Sequence, residues 1–317
     1  MSDSAIIPQH PREDRSRSNN GDIIIQTRIR RSIWKIAIAT LLLMAVGSAT
    51  RVMNAGLACP DWPLCYGQLV PTQQMNLQVF LEWFHRLDAA LIGLSTLLLV
   101  SSAWWFRHQL PRWLPGATTF AMSLILIQGA LGAFTVTELL RFDIVTAHLG
   151  TALLFFVTLL TIGTCLLPID RSSDRSVVQL PVWLPLIAAT CIYVQSLIGG
   201  LVGSRWALHQ CFGNSELCTV MNSHIIGVVP ATLSCVAVTV AIWRSRDLPK
   251  YFYKLAALVG GLLIGQILLG VATFKLHLQV ETLTVAHQSI GATLLGTLVV
   301  ITVLSWRLKR SQLASQF

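Results

Sequence analysis

Apolar residues in this chain come in long blocks, not in the strict alternation of half-buried strands. Eight blocks, at roughly 33–50, 83–106, 115–137, 145–167, 182–203, 221–243, 253–274 and 284–306, are nearly free of charge and run close to 20 residues each. A helix rises 1.5 Å per residue, so about 20 apolar residues cross the ~30 Å hydrocarbon layer of a bilayer. The pattern predicts an all-α polytopic membrane protein with eight transmembrane helices. Composition agrees: the 317 residues are 54% hydrophobic and 12% charged, where a soluble domain carries about 25% charged residues.

Charge then orients the chain. The net charge is +9, with 23 Lys and Arg. The N-terminus, the segments after the second, fourth and sixth blocks and the C-terminus hold 18 of them, and the opposite side holds Arg51, Arg86, Arg141, Arg205 and Lys275. This is the positive-inside pattern, so both termini are expected in the cytoplasm. No basic patch is interleaved with exposed aromatics, which argues against a nucleic-acid partner and leaves the lipid bilayer as the expected surroundings. Residues 1–31 are polar and carry acids as well as arginines, unlike an organellar transit peptide, and read as a disordered cytoplasmic tail.

The segment from Gly56 to Gly67, Gly-Leu-Ala-Cys-Pro-Asp-Trp-Pro-Leu-Cys-Tyr-Gly, falls outside. Cys59 and Cys65 have later counterparts in Cys211 and Cys218, on the same side. Cysteine pairs on an oxidising face fit disulfides. Redox-cycling thiols and metal ligation compete, though neither spacing is the usual zinc spacing and no nearby histidine completes a site. Cys165, Cys191 and Cys235 lie inside apolar blocks and read as small apolar residues.

The chemistry is carried by histidines. His85, His148, His224 and His287 each stand near the outer start of an even-numbered block. His85 to His148 and His224 to His287 are both 63 positions apart, and each member of the first pair recurs 139 positions later. Gln128-x-x-x-Gly132 and Gln266-x-x-x-Gly270 recur at a spacing of 138, and Gln195-x-x-x-Gly199 matches them. An internal duplication of two four-helix units explains these spacings, and copies with an even number of spans share one orientation, related by a pseudo-twofold axis along the membrane normal. The Gln and Gly residues read as packing and interhelical hydrogen-bonding positions.

Ionisable groups in a bilayer are costly and usually paired or functional. A single such histidine could simply bond a neighbouring backbone group. Four in a duplicated pattern suit two sites in which facing imidazoles hold one planar cofactor, and haem fits better than a di-metal centre because no carboxylate cluster accompanies them. Arg51, Arg86 and Arg205 stand on the correct side to pair with propionates, with ordinary interfacial anchoring as the alternative. His10, His108, His209 and His277 fall outside the repeat.

The two halves differ at one position. Three residues before His85 is Glu82, while three before His224 is Met221. Electron transfer alone needs no acid beside an iron ligand, whereas a site that moves protons or stabilises developing positive charge could use one. The plainer reading is that Glu82 pairs with Arg86 at i, i+4 or caps its helix.

Together these residues resemble the haem A synthase family (CtaA/Cox15-type). The Gly56–Gly67 segment resembles its first outer loop, Glu82-Trp-Phe-His85 its Glu-x-x-His motif, and His148 in Thr-Ala-His-Leu-Gly, His224 in Asn-Ser-His and His287 in Ala-His-Gln-Ser-Ile-Gly its later histidines. The resemblance covers about 33–306; the first cysteine pair is common in the family and the second occurs in part of it. It implies oxidation of a methyl group of haem O to a formyl group, by successive hydroxylations, giving haem A for terminal oxidases. It also implies Glu82 as catalytic carboxylate, His85 and His148 as ligands of the substrate haem O, and His224 and His287 as ligands of haem b. Expected partners are a haem O synthase or another haem O donor and an electron acceptor the residues do not name. The expected setting is a bacterial plasma membrane or internal energy-transducing membrane, with the disulfides Cys59–Cys65 and Cys211–Cys218 on the outer face. The chain would divide into the tail 1–31, an N-terminal unit 32–167 for the substrate haem, a cytoplasmic linker 168–181, a C-terminal unit 182–310 for haem b, and a tail 311–317. The rival reading is a non-enzymatic di-haem cytochrome that only passes electrons, which gives no reason for an acid in one half alone.

Overall fold

The computed structural model describes residues 12–168, 180–203, 216–245, 247–276 and 279–315. Among them, eight helices are long and apolar enough to cross a membrane, and there is no strand. We number them α1 (Arg12–Val52), α2 (Leu77–Trp105), α3 (Leu114–Thr137), α4 (Phe142–Cys165), α5 (Trp183–Val202), α6 (Glu216–Arg244), α7 (Lys250–Lys275) and α8 (Glu281–Ser315). Helices are the required solution where no water is present to satisfy backbone N–H and C=O groups.

Two boundaries differ from the sequence expectation. The tail expected over 1–31 gives way to helix at Arg12. Between Arg12 and Val52 there is no proline, Ile29 and Ile33 are buried, and Arg30 donates to the Leu166 carbonyl (3.2 Å). Those contacts anchor α1 around Ile29–Ile33. At the other end α8 runs to Ser315, past the expected limit at 310. The expected linker 168–181 lies largely outside the described residues, as do Arg205, Cys211, His209, His277 and the side chain of Cys218.

The contacts close into two circuits. α1 packs on α2, α2 on α3, α3 on α4 and α4 on α1; α5, α6, α7 and α8 repeat the arrangement. The circuits join where α8 meets α1 and α4, and where α4 meets α5. One continuous apolar cluster fills both circuits and the seam between them, with Ile33, Phe155, Leu159, Leu294, Leu295 and Leu298 fully buried. The seam is latched at one end by arginines. Arg307 of α8 donates to the Thr164 and Leu167 carbonyls (both 2.7 Å), and Arg30 of α1 bonds the carbonyl between them in sequence, Leu166. These carbonyls lie at the C-terminal end of α4, where cations complement the helix dipole.

Candidate functional site

Helix polarity places all four histidines at one end of the molecule. His85 and His224 begin the spans of α2 and α6, and His148 and His287 begin those of α4 and α8. In each circuit the two histidine helices are diagonal, so their inner faces look across the circuit at one another. Each pair of histidines therefore stands on the two diagonal helices of one circuit.

Each imidazole is seated against a glycine of the preceding helix. A Cβ added at Gly47, Gly132, Gly199 or Gly270 would stand 2.8, 3.3, 2.9 or 3.0 Å from Cε1 of His85, His148, His224 or His287 respectively. At Gly47 and Gly199 a methyl group would displace the ring, and at Gly132 and Gly270 it would press on it. One turn before three of these glycines stands a glutamine. The amide nitrogen of Gln128 lies 3.2 Å from His148 Nε2, that of Gln195 3.0 Å from His224 Nδ1, and that of Gln266 3.3 Å from His287 Nε2. The Gln-x-x-x-Gly signal was visible in sequence as packing. That glycine and glutamine address one histidine is visible only once the next helix lies beside them. Gly47 carries the same contact without the motif, because Leu43 stands four residues before it.

The donor set suits haem iron. Nδ1 of His85, His148 and His287 is buried with no hydrogen-bond partner, which is costly unless something occupies the lone pair. Among the described residues no group of three His, Cys, Asp or Glu could enclose a metal ion. Paired imidazoles in apolar surroundings are the residues that would hold the iron of a planar cofactor.

Above His85 a compact loop covers the start of α2. Asn76 caps the helix, its side chain accepting from Val79 N–H (2.9 Å), and Cys59 and Cys65 are joined by a disulfide. Glu82, one turn before His85 and only 4% exposed, accepts from Cys59 N–H (2.7 Å) with one oxygen and pairs with Arg86 (2.6 Å) with the other. Arg86 also donates to the carbonyls of Asp61 and Leu64 (both 2.6 Å) and of Cys59 (3.2 Å). Asp61 in turn accepts from Tyr66 and Gly67 N–H (2.6 and 2.8 Å), where both residues take positive φ. The Gly67 N–H first, then that of Tyr66, holds the Asp61 carboxyl below its ordinary range against the desolvation that would raise it. The pairing of Glu82 with Arg86 expected from i, i+4 spacing is therefore present, and it is part of a larger network that carries the disulfide loop.

The arginines considered as propionate partners have distinct places. Arg86 is committed to the loop. Arg51, at the end of α1, crosses to the other circuit, where it donates to Gly200 O and Gln288 Oε1 (both 3.4 Å) and leaves its buried Nε without a partner. Gly203 makes room for it: a Cβ there would meet Arg51 Nη2 at 2.9 Å. Arg141 pairs with exposed Glu138 and Asp143. Arg205 and the Cys211–Cys218 pairing lie outside the described residues.

Comparison with known proteins bears on the whole chain. The sequence profile of the COX15-CtaA family, described as cytochrome oxidase assembly protein, matches residues 30–299. A haem A synthase of Shewanella oneidensis is 30% identical over 316 aligned residues, covering 84% of this chain and 93% of that protein. A haem A synthase of Symbiobacterium thermophilum is 32% identical over 131 residues, 38% of this chain and 41% of that protein. A protohaem IX farnesyltransferase of Halobacterium salinarum is 35% identical over 99 residues, 31% of this chain and 21% of that protein.

Proposed function

Because the chain belongs to the COX15-CtaA family of cytochrome oxidase assembly proteins, we propose that it makes haem A, oxidising the methyl group of haem O to a formyl group. It is a multi-span membrane oxidoreductase of haem A biosynthesis. The observation that carries the site assignment is the matched seating of His85 with His148 and of His224 with His287, each ring against a glycine.

On this reading residues 32–167 form the substrate unit, with His85 and His148 flanking haem O, and 182–310 form the haem b unit, with His224 and His287 as ligands. The 139-residue offset between the pairs supports tandem units related by an axis along the membrane normal. Bound haem iron would supply the oxidising chemistry. The protein's own groups orient it, hold charge beside it and exclude water.

Glu82 belongs to the first unit alone, and its hydrogen bonds favour an electrostatic role over proton abstraction. With one oxygen on Cys59 N–H and the other on Arg86, both lone-pair directions nearest those groups are taken and the carboxyl group is held in a fixed place. There, a turn from His85, the Glu82–Arg86 pair would offer its acidic end to positive charge developing on a substrate bound beside that imidazole. Arg86 is assigned to the loop and Arg51 to a propionate, since its contacts are long and its Nε is unpartnered. The distribution of Lys and Arg supports cytoplasmic termini and a histidine end on the outer face of a bacterial plasma or internal energy-transducing membrane. A haem O synthase fits as donor, in keeping with the segment shared with a protohaem farnesyltransferase. The electron-transfer-only reading finds no counterpart among these relatives.

The test is mass-resolved chromatography of haems extracted after co-expression with a haem O source. Haem A, or its hydroxylated precursor, should appear only with this protein. Haem b with untouched haem O would return the chain to an electron carrier, and well-folded protein without haem would leave the four histidines structural.

A further inference from the structure

Three of the four imidazoles are held by a side-chain amide, and one is not. His148, His224 and His287 each have a glutamine on one ring nitrogen, contributed from one turn before the glycine that seats the ring. His85 has the glycine, Gly47, but the position that would carry the amide is Leu43, and no hydrogen bond to the His85 ring is formed among the described residues. The difference follows from sequence register, because Leu43 occupies in α1 the place that Gln128, Gln195 and Gln266 occupy in α3, α5 and α7.

A partner on the distal nitrogen of a metal-bound imidazole fixes its tautomer and orientation and raises its basicity, an effect worth about 10–100-fold in metal affinity. For Gln128 and Gln266, whose Oε1 atoms are buried without a partner, turning the amide half a turn about its last bond exchanges its O and N, so the glutamine can accept from a ring N–H and leave the other nitrogen's lone pair for iron; Gln195 instead fixes its ring by also donating to the His224 carbonyl (2.6 Å). Leucine can do neither.

We propose that His85 is the releasable ligand of the four, and that Leu43 makes it so: the first site holds haem firmly through His148 and exchanges it through His85, while the second site is held from both sides by Gln195 and Gln266. Gln128, Gln195 and Gln266 are positioning residues, acting through the imidazoles. This rests on the reading that the imidazoles take haem iron. It gives the two duplicated sites the difference their roles demand, since a substrate must leave after each turnover and a resident cofactor must not.

The test uses purified full-length protein carrying both haems, transferred to excess apomyoglobin and followed by absorption, with ferric spin state read by electron paramagnetic resonance. In the unaltered protein one haem should leave at least ~10-fold faster than the other. Leu43→Gln should slow that phase by ~10-fold or more and shift the first site towards a six-coordinate low-spin signal. Gln266→Leu should make the second haem labile as well, and this arm stands even if Leu43→Gln does not fold. Identical exchange rates and spin states in Leu43→Gln, Gln266→Leu and the unaltered protein would overturn the proposal while leaving the haem assignment in place. Protein that folds without haem would overturn the assignment itself.

Discussion

Gly47 and Glu82 act on His85 in different ways. Gly47 sets where the ring can sit, and a Cβ 2.8 Å from Cε1 must displace it. Gly47→Ala is expected to weaken haem retention at the first site by at least ~10-fold through overpacking of about 1–3 kcal/mol, with the second site unaffected. Spectra of the two haems during purification check this. Glu82 contributes charge and a loop contact, and two substitutions separate them. Glu82→Gln keeps an acceptor for Cys59 N–H, gives up the ion pair with Arg86, and should still fold with both haems while haem A formation falls by roughly 100-fold. Glu82→Ala removes the acceptor for Cys59 N–H as well, so it should in addition lose about 1–3 kcal/mol of stability, read from denaturant or thermal unfolding. Full product yield from Glu82→Gln would remove the carboxylate from the chemistry.

At the scale of elements, the loop over α2 is an independent unit of order built on one arginine, one aspartate and a disulfide. Asp61 has a depressed carboxyl in the folded loop, so its contribution is complete above the unfolded value and is lost as pH falls through the lower, folded one. The protection of the Tyr66 and Gly67 amides, as exchange rate relative to an unstructured chain at the same pH, should therefore be high and constant near neutrality and fall only below the ordinary aspartate value of 3.8. Asp61→Asn should show weakened protection at every pH. The i, i+4 relation of Glu82 to Arg86 was legible in sequence because both lie on one helix. The onward bonds from Arg86 to the Asp61, Leu64 and Cys59 carbonyls were not, since they depend on how the Cys59–Cys65 turn folds back. The same limit applies to Gln128 and Gln266: periodicity shows which residues share a helix face, not which side chain the next helix brings to it.

For the whole molecule, the eight spans were readable from block length, because the bilayer imposes it. The seam was not readable. Every block is apolar all round, so nothing in periodicity separates a helix face meeting lipid from one meeting Phe155 or Leu295. The cross-circuit reach of Arg51 to Gly200 and Gln288 was hidden for the same reason. The latch at the end of α4 gives the seam a direct test. Arg307→Met removes two bonds to the Thr164 and Leu167 carbonyls and should lower stability in detergent by about 2 kcal/mol, with haem content unchanged at low temperature. An unfolding midpoint equal to that of the parent protein would show that the apolar contacts alone hold the circuits together.

The seam also has a consequence for supply. Each pair takes one imidazole from a seam helix, His148 on α4 or His287 on α8, and the other from a helix that contacts only its own circuit, His85 on α2 or His224 on α6. Away from the seam each site is thus walled by two helices, α2 and α3 or α6 and α7, each long and apolar enough to cross a membrane, and a ligand that enters between them would arrive from the bilayer and not from water. Occupancy of such a site follows the mole fraction of ligand dissolved in the membrane. Diluting the same protein and ligand with extra lipid at constant bulk concentration should empty it, and adding buffer should not.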